Sequence, residues 1–231
     1  MNPVDPFQFK QFSKLHPRRL WFTLVARLQE RKAQTRFHQY VIPLSSPDVA
    51  DANVPSYPDA DTAVTPAQMA VLLKAVQDTK AVPGLAVEIG AYRGVTTAIL
   101  ASRAERNYIA VDPYIGYGGA DSDFEQMKQR VSGFTNVTHL RMTSGEASRN
   151  LSGKEASFVF VDAVHDYVNA LFDGAAWGGK LTSGGLIAFH DTDSEGFAGV
   201  QRAVWEMLNN KLSGYALYAH VEGLVVLRKT V

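Results

Sequence analysis

The sequence contains no cysteine among its 231 residues. Disulfide bonds and zinc sites built from thiolates are therefore excluded, and the absence of cysteine is compatible with a cytoplasmic protein. Long hydrophobic runs are also missing: no apolar stretch is long enough to cross a bilayer, and the start lacks the pattern of a signal peptide. We therefore expect a soluble, cytoplasmic protein without a transmembrane segment.

The sequence has no surplus of either charge, because 23 Lys and Arg balance 23 Asp and Glu. Balanced charge provides no electrostatic footprint for nucleic-acid binding, so no nucleic-acid partner is expected. The distribution along the chain is uneven, since residues 1–39 contain eight Lys or Arg against only Asp5 and Glu30. The length suits a single α/β domain with a sizeable core.

Residues 1–64 are predicted to form an N-terminal helical extension and loop in front of the main domain at 65–231. Within residues 17–36, large apolar side chains recur at helical spacing beside several arginines. Such a basic helix either packs on its own domain or on a sister subunit, which we favour, or lies on a membrane surface. The favoured interpretation includes a homo-oligomer formed through this helix. The apolar stripe consists of Leu20, Trp21, Leu24, Val25 and Leu28.

The most informative stretch is residues 85–94, LAVEIGAYRG, in which a short apolar run ends in a turn bracketed by glycines. The run predicts a buried strand, and Gly90 and Gly94 allow the main chain to bend and a ligand to approach it closely. Glu88 adds a carboxylate that can accept hydrogen bonds from a cationic group. The alternatives are a plain strand-to-helix bend and a dinucleotide-binding turn, whose G-x-G-x-x-G spacing is absent.

A second predicted strand ends at Asp112. A carboxylate at this point, beyond the glycine turn, can accept hydrogen bonds from two ribose hydroxyls. Asp112-Pro113 is also a common way to begin a turn, and that alternative stays open. The glycine- and tyrosine-rich residues 114–121 that follow form either a mobile lid or substrate wall beside the ligand or an ordinary connection.

Two later predicted strands end in the acidic residues Asp162 and Asp191. Because ligands of an open parallel sheet bind beyond the carboxyl ends of its strands, both carboxylates should lie near Gly90 and Asp112. Neighbouring carboxylates repel each other unless a positive charge lies between them, and Mg²⁺ or another hard divalent cation would supply it. The alternative is that both residues only cap turns.

These motifs resemble those of class I S-adenosylmethionine-dependent methyltransferases. Residues 88–94, EIGAYRG, are similar to the first motif of that class, and the GAYxG core resembles the catechol O-methyltransferases. The later pattern, DxxHxY at residues 162–167 followed by D, W, L, GG and HD, resembles bacterial methyltransferases that modify sugar hydroxyls. The resemblance covers the chain from about Thr65 to the C-terminus.

The resemblance implies a fold and a set of residue roles. The fold is α/β, a doubly wound, seven-stranded and mostly parallel Rossmann-like sheet with a C-terminal antiparallel hairpin. His165 stands where the catechol enzymes have a catalytic lysine and would be the base, and Thr192 stands where they have an asparagine ligand. The implied cofactor contacts are Glu88, Gly90, Ala91, Tyr92, Gly94, Asp112, Ser144 and Asp162, and the implied metal ligands are Asp162, Asp191 and Thr192.

The residues and the resemblance together predict an S-adenosylmethionine-dependent, divalent-metal-assisted O-methyltransferase. Its expected substrate is a small-molecule hydroxyl, such as that of a sugar or a vicinal diol. Two alternatives stay open. One is a metal-free methyltransferase that acts on a nitrogen or a lone hydroxyl, and the other is a non-catalytic partner protein that binds the cofactor.

Overall fold

The computed structural model describes residues 4–116, 119–210 and 214–231. Its strands are β1 (Leu85–Ile89), β2 (Tyr108–Val111), β3 (Val137–Leu140), β4 (Ala156–Val161), β5 (Leu181–Phe189), β6 (Tyr215–Val221) and β7 (Leu224–Lys229). They form one sheet in the order β3-β2-β1-β4-β5-β7-β6. The first five strands pair in parallel, whereas β7 is antiparallel to both β5 and β6. The predicted sheet and its C-terminal antiparallel hairpin are therefore confirmed.

The described part of the chain also contains seven α-helices. They are α1 (Pro17–Thr35), α2 (Pro66–Asp78), α3 (Val95–Ala101), α4 (Asp121–Val131), α5 (Ser144–Asn150), α6 (Tyr167–Gly178) and α7 (Ala198–Asn209). A 3-10 helix, Pro6–Gln11, precedes α1. In this part of the chain, no helix combines the length and the apolar character needed to cross a bilayer.

The sheet is covered on both faces because alternate residues of its central strands point in opposite directions. Val87 and Ile89 of β1 belong to the apolar cluster that includes α6 and α7. Ala86, between the two strand neighbours Leu85 and Val87, belongs to the cluster formed with α2 and α3. Near-continuous burial of the strands leaves their carboxyl ends as the place where polar side chains can gather.

The start of α2 places one polar side chain close to that edge. Thr65 Oγ1 accepts a hydrogen bond from the main-chain N of Gln68, and Gln68 Oε1 accepts one from the main-chain N of Thr65 at 2.8 Å. This capping box, with Pro66 in the first helical turn, fixes where the helix begins. It also fixes Gln68, which is buried, in one orientation.

Helix α1 packs against α6 and α7, as the favoured interpretation of the sequence expected. It does so, however, with a different face: Leu20, Trp21, Leu24 and Leu28 are exposed. The loop after α1 adds an isolated antiparallel bridge between Ser45 and His220. The division of the chain at residues 64 and 65 stays a proposal.

Candidate active site

The turn after β1 is built around Gly90. Its φ of +95° lies in the region that favours glycine, and its main-chain N donates to Val111 O at 2.8 Å. A Cβ added to Gly90 would overlap the carbonyl oxygen of Asp162. Gly90 therefore allows the ends of β1, β2 and β4 to approach one another, which brings their terminal carboxylates to one edge.

Gly94, for which the resemblance implies a cofactor contact, lies at the start of α3 against α4. It is the N-cap of α3 with a φ of +74°, and a Cβ there would lie 3.0 Å from Met127 Cγ on α4. Gly94 is not among the described residues that line the cavity below. The structure therefore shows close packing between α3 and α4 at Gly94, and its cofactor contact stays a prediction.

A cavity of about 420 Å³ lies beyond the carboxyl ends of β1, β2 and β4. Both the position and the size are those of a small-molecule site in an open α/β sheet. The predicted residues that line it are Glu88, Gly90, Ala91, Tyr92, Asp112, Ser144, Asp162 and His165.

Asp112 lies at the wall of this cavity, held by two main-chain donors. Its Oδ2 accepts from Tyr92 N at 3.0 Å, and its Oδ1 accepts from Tyr114 N at 2.9 Å. Burial raises the pKa of the carboxyl above its ordinary value, although both main-chain hydrogen bonds lower it. Both oxygens keep a further lone pair, so the geometry suits the predicted pair of ribose hydrogen bonds.

Glu88 is almost completely buried at the floor of the cavity, with 1% of its surface exposed. Its Oε2 accepts from Thr97 Oγ1 at 2.6 Å and from the Tyr108 hydroxyl at 3.2 Å. Burial outweighs these hydrogen bonds and raises the pKa of Glu88 to about 8. The carboxyl is therefore poised to ionise when a cationic ligand enters the cavity.

The far end of the cavity holds a chain of polar side chains that the sequence did not reveal. Trp177 Nε1 donates to Ser144 Oγ at 2.8 Å, and Ser144 Oγ donates to Asp173 Oδ1. Asp173 lines the cavity, and burial raises its pKa to about 7. The available signal was the four-residue spacing of Asp173 and Trp177 on α6, which places both side chains on one side of the helix.

The N-terminal segment reaches this end of the cavity as well. Phe7 is one of the lining residues, and its main-chain N donates to Asp5 Oδ1 at 2.9 Å. Asp5 is itself buried and pairs with Arg149 of α5 at 2.9 Å. No local pattern linked residues 5–7 to a site more than a hundred residues further along, so sequence reasoning missed them.

The opposite end of the site is a cluster of Asp162, His165 and Asp191. His165 Nε2 lies 3.2 Å from Asp162 Oδ1 and 2.9 Å from Asp191 Oδ2. Burial opposes the charge on the imidazole, but the hydrogen bonds to both carboxylates outweigh it and raise the pKa of His165 to about 9. The pKa of Asp191 is held below its ordinary value despite burial, because His165 and His190 contact it.

His190 adds a second imidazole whose tautomer can be assigned. Its Nε2 lies 3.0 Å from Gln68 Oε1, and that amide is oriented by Gln68 Nε2, which donates to Glu222 O at 2.6 Å. Since Gln68 offers an oxygen, Nε2 of His190 must be the donor. The buried Nδ1 then faces the acids, 3.1 Å from Asp191 Oδ2 but without the angle of a hydrogen bond.

Thr192 does not turn toward the cluster. It is buried, and its Oγ1 and main-chain N both donate to Gly223 O at 2.9 Å. Asp191 is the residue that the turn after β5 presents, with a left-handed φ of +59° that asparagine and aspartate tolerate better than most residues. The structure does not bring Thr192 into the cluster, and the metal-ligand role that the resemblance implies for it stays a prediction.

The predicted lid at residues 114–121 can be judged only in part, because residues 117 and 118 lie outside the described residues. Tyr114, at its start, is buried and its hydroxyl donates to Tyr92 O at 2.7 Å. The hydroxyl of Tyr114 therefore helps to hold the turn after β1 in place.

The donor set of the cluster fits a divalent cation. One ligand atom each from Asp162, His165 and Asp191 lie within 4.8 Å of one another. The carboxylate oxygens of Asp162 and Asp191 are common ligands of divalent metals, and His190 Nδ1 faces the same acids. The cluster adjoins the cavity through Asp162, so a cation there would touch the same space as a bound cofactor.

A sheet of this order, with a cavity where the strand order reverses between β1 and β4, defines a doubly wound, Rossmann-like α/β fold with a ligand site at its switch point. Residues 87–192 match the family model described as a methyltransferase domain. That segment spans the turn at Gly90, the carboxylate of Asp112 and the cluster at Asp162, His165 and Asp191. This part of the chain is therefore similar to a methyltransferase domain.

Solved structures share the fold at low sequence identity. CalS11, a TDP-rhamnose 3'-O-methyltransferase of calicheamicin biosynthesis, matches with a TM-score of 0.55 and 18% identity over 86% of this chain and 93% of that one. Cofactor-bound Rv0187 from MTB gives 0.57 and 15% over 86% and 89%. An rRNA methylase from Streptococcus thermophilus gives 0.52 and 17% over 69% and 96%. No curated protein matches the chain by sequence.

Proposed function

We propose that the chain transfers the methyl group of S-adenosylmethionine to a hydroxyl oxygen of a small molecule, with a divalent cation held by Asp162 and Asp191. The observation that supports this proposal is the cluster of two strand-end carboxylates around His165, directly beside the cofactor cavity. A metal bound there would hold an acceptor hydroxyl and lower its pKa.

The chain's own residues would orient the reactants. Asp112 would hold the ribose hydroxyls, and Glu88 would ionise opposite the cationic end of the cofactor. Placing the sulfonium methyl in line with the acceptor oxygen supplies much of the rate through proximity alone. The oxygen forms a bond to the methyl carbon, the carbon–sulfur bond breaks, and sulfur keeps its electron pair.

His165 would take the hydroxyl proton at Nε2, the atom that faces both carboxylates. A histidine can act as a base only when Nε2 is unprotonated, and the two carboxylates oppose that state because they raise the pKa of His165. A divalent cation bound to Asp162 and Asp191 would lower the pKa of His165, because it would place a positive charge beside the imidazole. The cation and the base are therefore linked in the proposal.

The same contacts favour a second candidate, a metal-free methyltransferase. A protonated His165 already lies between Asp162 and Asp191 and supplies the positive charge that the two acids need. In that case the acceptor would be a nitrogen or a lone hydroxyl.

The fold shared with CalS11, a TDP-rhamnose methyltransferase, makes nucleotide sugars the first acceptors to assay.

A chelation experiment separates the two candidates. The protein is treated with a chelator and assayed for S-adenosylhomocysteine formation on a panel of nucleotide sugars, catechols and amines, with and without added Mg²⁺ or Mn²⁺. The metal-assisted function predicts loss of turnover on chelation and recovery with the cation. Full turnover after chelation would assign the metal-free function.

His165→Ala should lower turnover by about 10²- to 10⁴-fold, the usual contribution of a general base. Its affinity for S-adenosylmethionine in calorimetry should stay the same, because the residue lies at the acceptor end. His139→Ala, at an exposed position in β3, is the matched control and should leave both quantities unchanged. Unchanged turnover in His165→Ala would remove the base from the proposal.

A further inference from the structure

Helix α1 presents a row of large apolar side chains to solvent. Leu20, Trp21, Leu24 and Leu28 have 51%, 68%, 50% and 57% of their surfaces exposed. Positions four apart stack on one side of a helix, so the three leucines form a continuous strip with Trp21 at its border. An apolar strip of this size on a protein surface indicates an interaction site.

Hydrogen bonds and a buried alanine fix the opposite face of α1 to the domain, so the apolar strip stays on the solvent side. Glu30 accepts from the main-chain N of Tyr167 at 2.9 Å and from that of Gly199 at 3.1 Å. Ala33 is fully buried against the domain. Arg202 Nη1 donates to the side chain of Gln29 at 2.9 Å. Contacts with both α6 and α7 thus fix which side of the helix faces outward.

The exposed charges on α1 itself are all positive. Arg18, Arg27, Arg31 and Lys32 are exposed on α1. The two acids of residues 1–39 both have partners in the domain. Glu30 accepts hydrogen bonds from the main chain of α6 and α7, and Asp5 forms an ion pair with Arg149. The outward surface of α1 is therefore apolar and cationic at once, although the whole chain has no net charge.

An apolar groove continues from the strip into the angle between α1 and α6. It has a volume of about 390 Å³, and its walls include Val4, Phe9, Trp21, Val25, Val168 and Leu171. Phe9 stacks on Phe22 of α1 with ring centroids 4.2 Å apart, which holds the N-terminal wall in place. The apolar surface therefore includes this groove as well as the exposed strip of α1.

We propose that α1 docks the protein on an anionic phospholipid surface. Lipid phosphates complement the arginines and lysine, the acyl region accepts the leucines, and tryptophan is favoured at the boundary between the two. A second copy fits the face less well. A symmetric pairing of two α1 helices would bring the same cations together without an acid to separate them.

Vesicle sedimentation with the full-length chain tests this proposal. Vesicles of phosphatidylcholine mixed with phosphatidylglycerol should sediment the protein at low salt, whereas vesicles of phosphatidylcholine alone should not, and high salt should release it. The fluorescence of exposed Trp21 should shift to shorter wavelength on binding, and Trp21→Phe should abolish that shift. Of the two other tryptophans, Trp177 is fully buried, and any signal from the partly buried Trp205 would persist in Trp21→Phe.

Two variants separate charge from apolar contact. Arg27→Gln/Arg31→Gln should weaken partitioning by about 30-fold, since each basic residue near an anionic surface contributes roughly fivefold. The matched control, Arg103→Gln/Lys154→Gln, removes two exposed cations elsewhere and should bind as the wild type does. Leu20→Ser/Leu24→Ser should abolish binding while the thermal midpoint stays unchanged, because both side chains are exposed.

Equal sedimentation with both vesicle types, or equal loss in the charge variant and its control, would overturn the proposal. A wild-type dimer in light scattering that Leu20→Ser/Leu24→Ser converts to a monomer, with no sedimentation of either protein, would assign the face to a second copy instead. These readouts do not involve methyl transfer, so the outcome is independent of the proposed function.

Discussion

The two ends of the active site hold their carboxylates in different ways. At the end proposed to bind the cofactor, main-chain N–H groups of Tyr92 and Tyr114 hold Asp112. At the acceptor end, Asp162 and Asp191 face side chains, the imidazoles of His165 and His190. The first arrangement follows from a local turn, whereas the second needs several distant elements to meet.

This difference has a consequence for rigidity. The main-chain donors belong to the short turns that follow β1 and β2, so this end of the site is preorganised. The imidazoles at the acceptor end can change protonation state and can exchange an acid for a metal ion. We expect the two ends to respond differently to substitution, and each prediction below tests one side of that comparison.

The largest effect is expected for Gly90→Ala. The added Cβ would overlap the carbonyl oxygen of Asp162 at a φ of +95°, so the ends of β1 and β4 would have to separate. We expect the free energy of unfolding to fall by about 3 kcal/mol and cofactor binding to be lost. Urea unfolding and calorimetry with S-adenosylmethionine measure the two quantities.

The control for this substitution is Gly153→Ala. Gly153 shares the left-handed backbone, with a φ of +74°, but a Cβ there would have no described atom within 4 Å. Gly153→Ala should lower the free energy of unfolding by about 1 kcal/mol and leave the affinity for S-adenosylmethionine unchanged. Equal losses in both variants would mean that backbone strain, and not the close approach of two strands, is what Gly90 relieves.

An intermediate effect is expected for Glu88→Gln and depends on pH. Burial raises the pKa of Glu88 in the folded protein from 4.5 to about 8, so the unfolded chain loses this proton at lower pH than the folded one. Stability of the free protein should therefore fall as pH rises between these two values and then level off.

Glu88→Gln should remove this part of the pH dependence and make the free protein more stable at pH 8. It should also weaken S-adenosylmethionine binding, because the amide cannot ionise opposite the sulfonium. Thermal unfolding of both proteins across the interval, together with calorimetry at pH 8, checks both expectations. The interpretation fails if the two proteins show parallel stability profiles.

The smallest effect is expected for Gln68→Ala, which tests the acceptor end. This change frees Nε2 of His190 and removes half of the capping box, with an expected loss of about 1 kcal/mol in stability. Turnover should fall by about tenfold because His190 loses its fixed orientation. Affinity for S-adenosylmethionine should not change.

Thr65→Ala separates these two roles of Gln68. It removes the other half of the same capping box but leaves the contact between Gln68 and His190 in place. Its stability should fall by a similar amount, about 1 kcal/mol, while turnover is retained. A tenfold loss of turnover in Thr65→Ala as well would assign the effect to the helix start.

Much of the fold was predictable because its signals are local. The apolar run at residues 85–89, the glycine turn and the capping box at Thr65 each depend on neighbours in sequence, and each predicted element is present. The site residues at strand ends were predictable for the same reason, since parallel strands end at one edge. The contacts of Thr192 and Gly94 were not predictable, because their neighbours in space, Gly223 and Met127, come from other elements.

The sequence by itself determined the order of strands and helices and the placement of Glu88, Asp112, Asp162 and Asp191 at their ends, because periodicity and turn chemistry act over a few residues. Only the tertiary structure decided which groups those acids meet and which side of α1 faces outward. Gln68 reaches His190 across 122 positions of the chain. Contacts over such separations depend on how whole layers pack, and no local pattern encodes that packing.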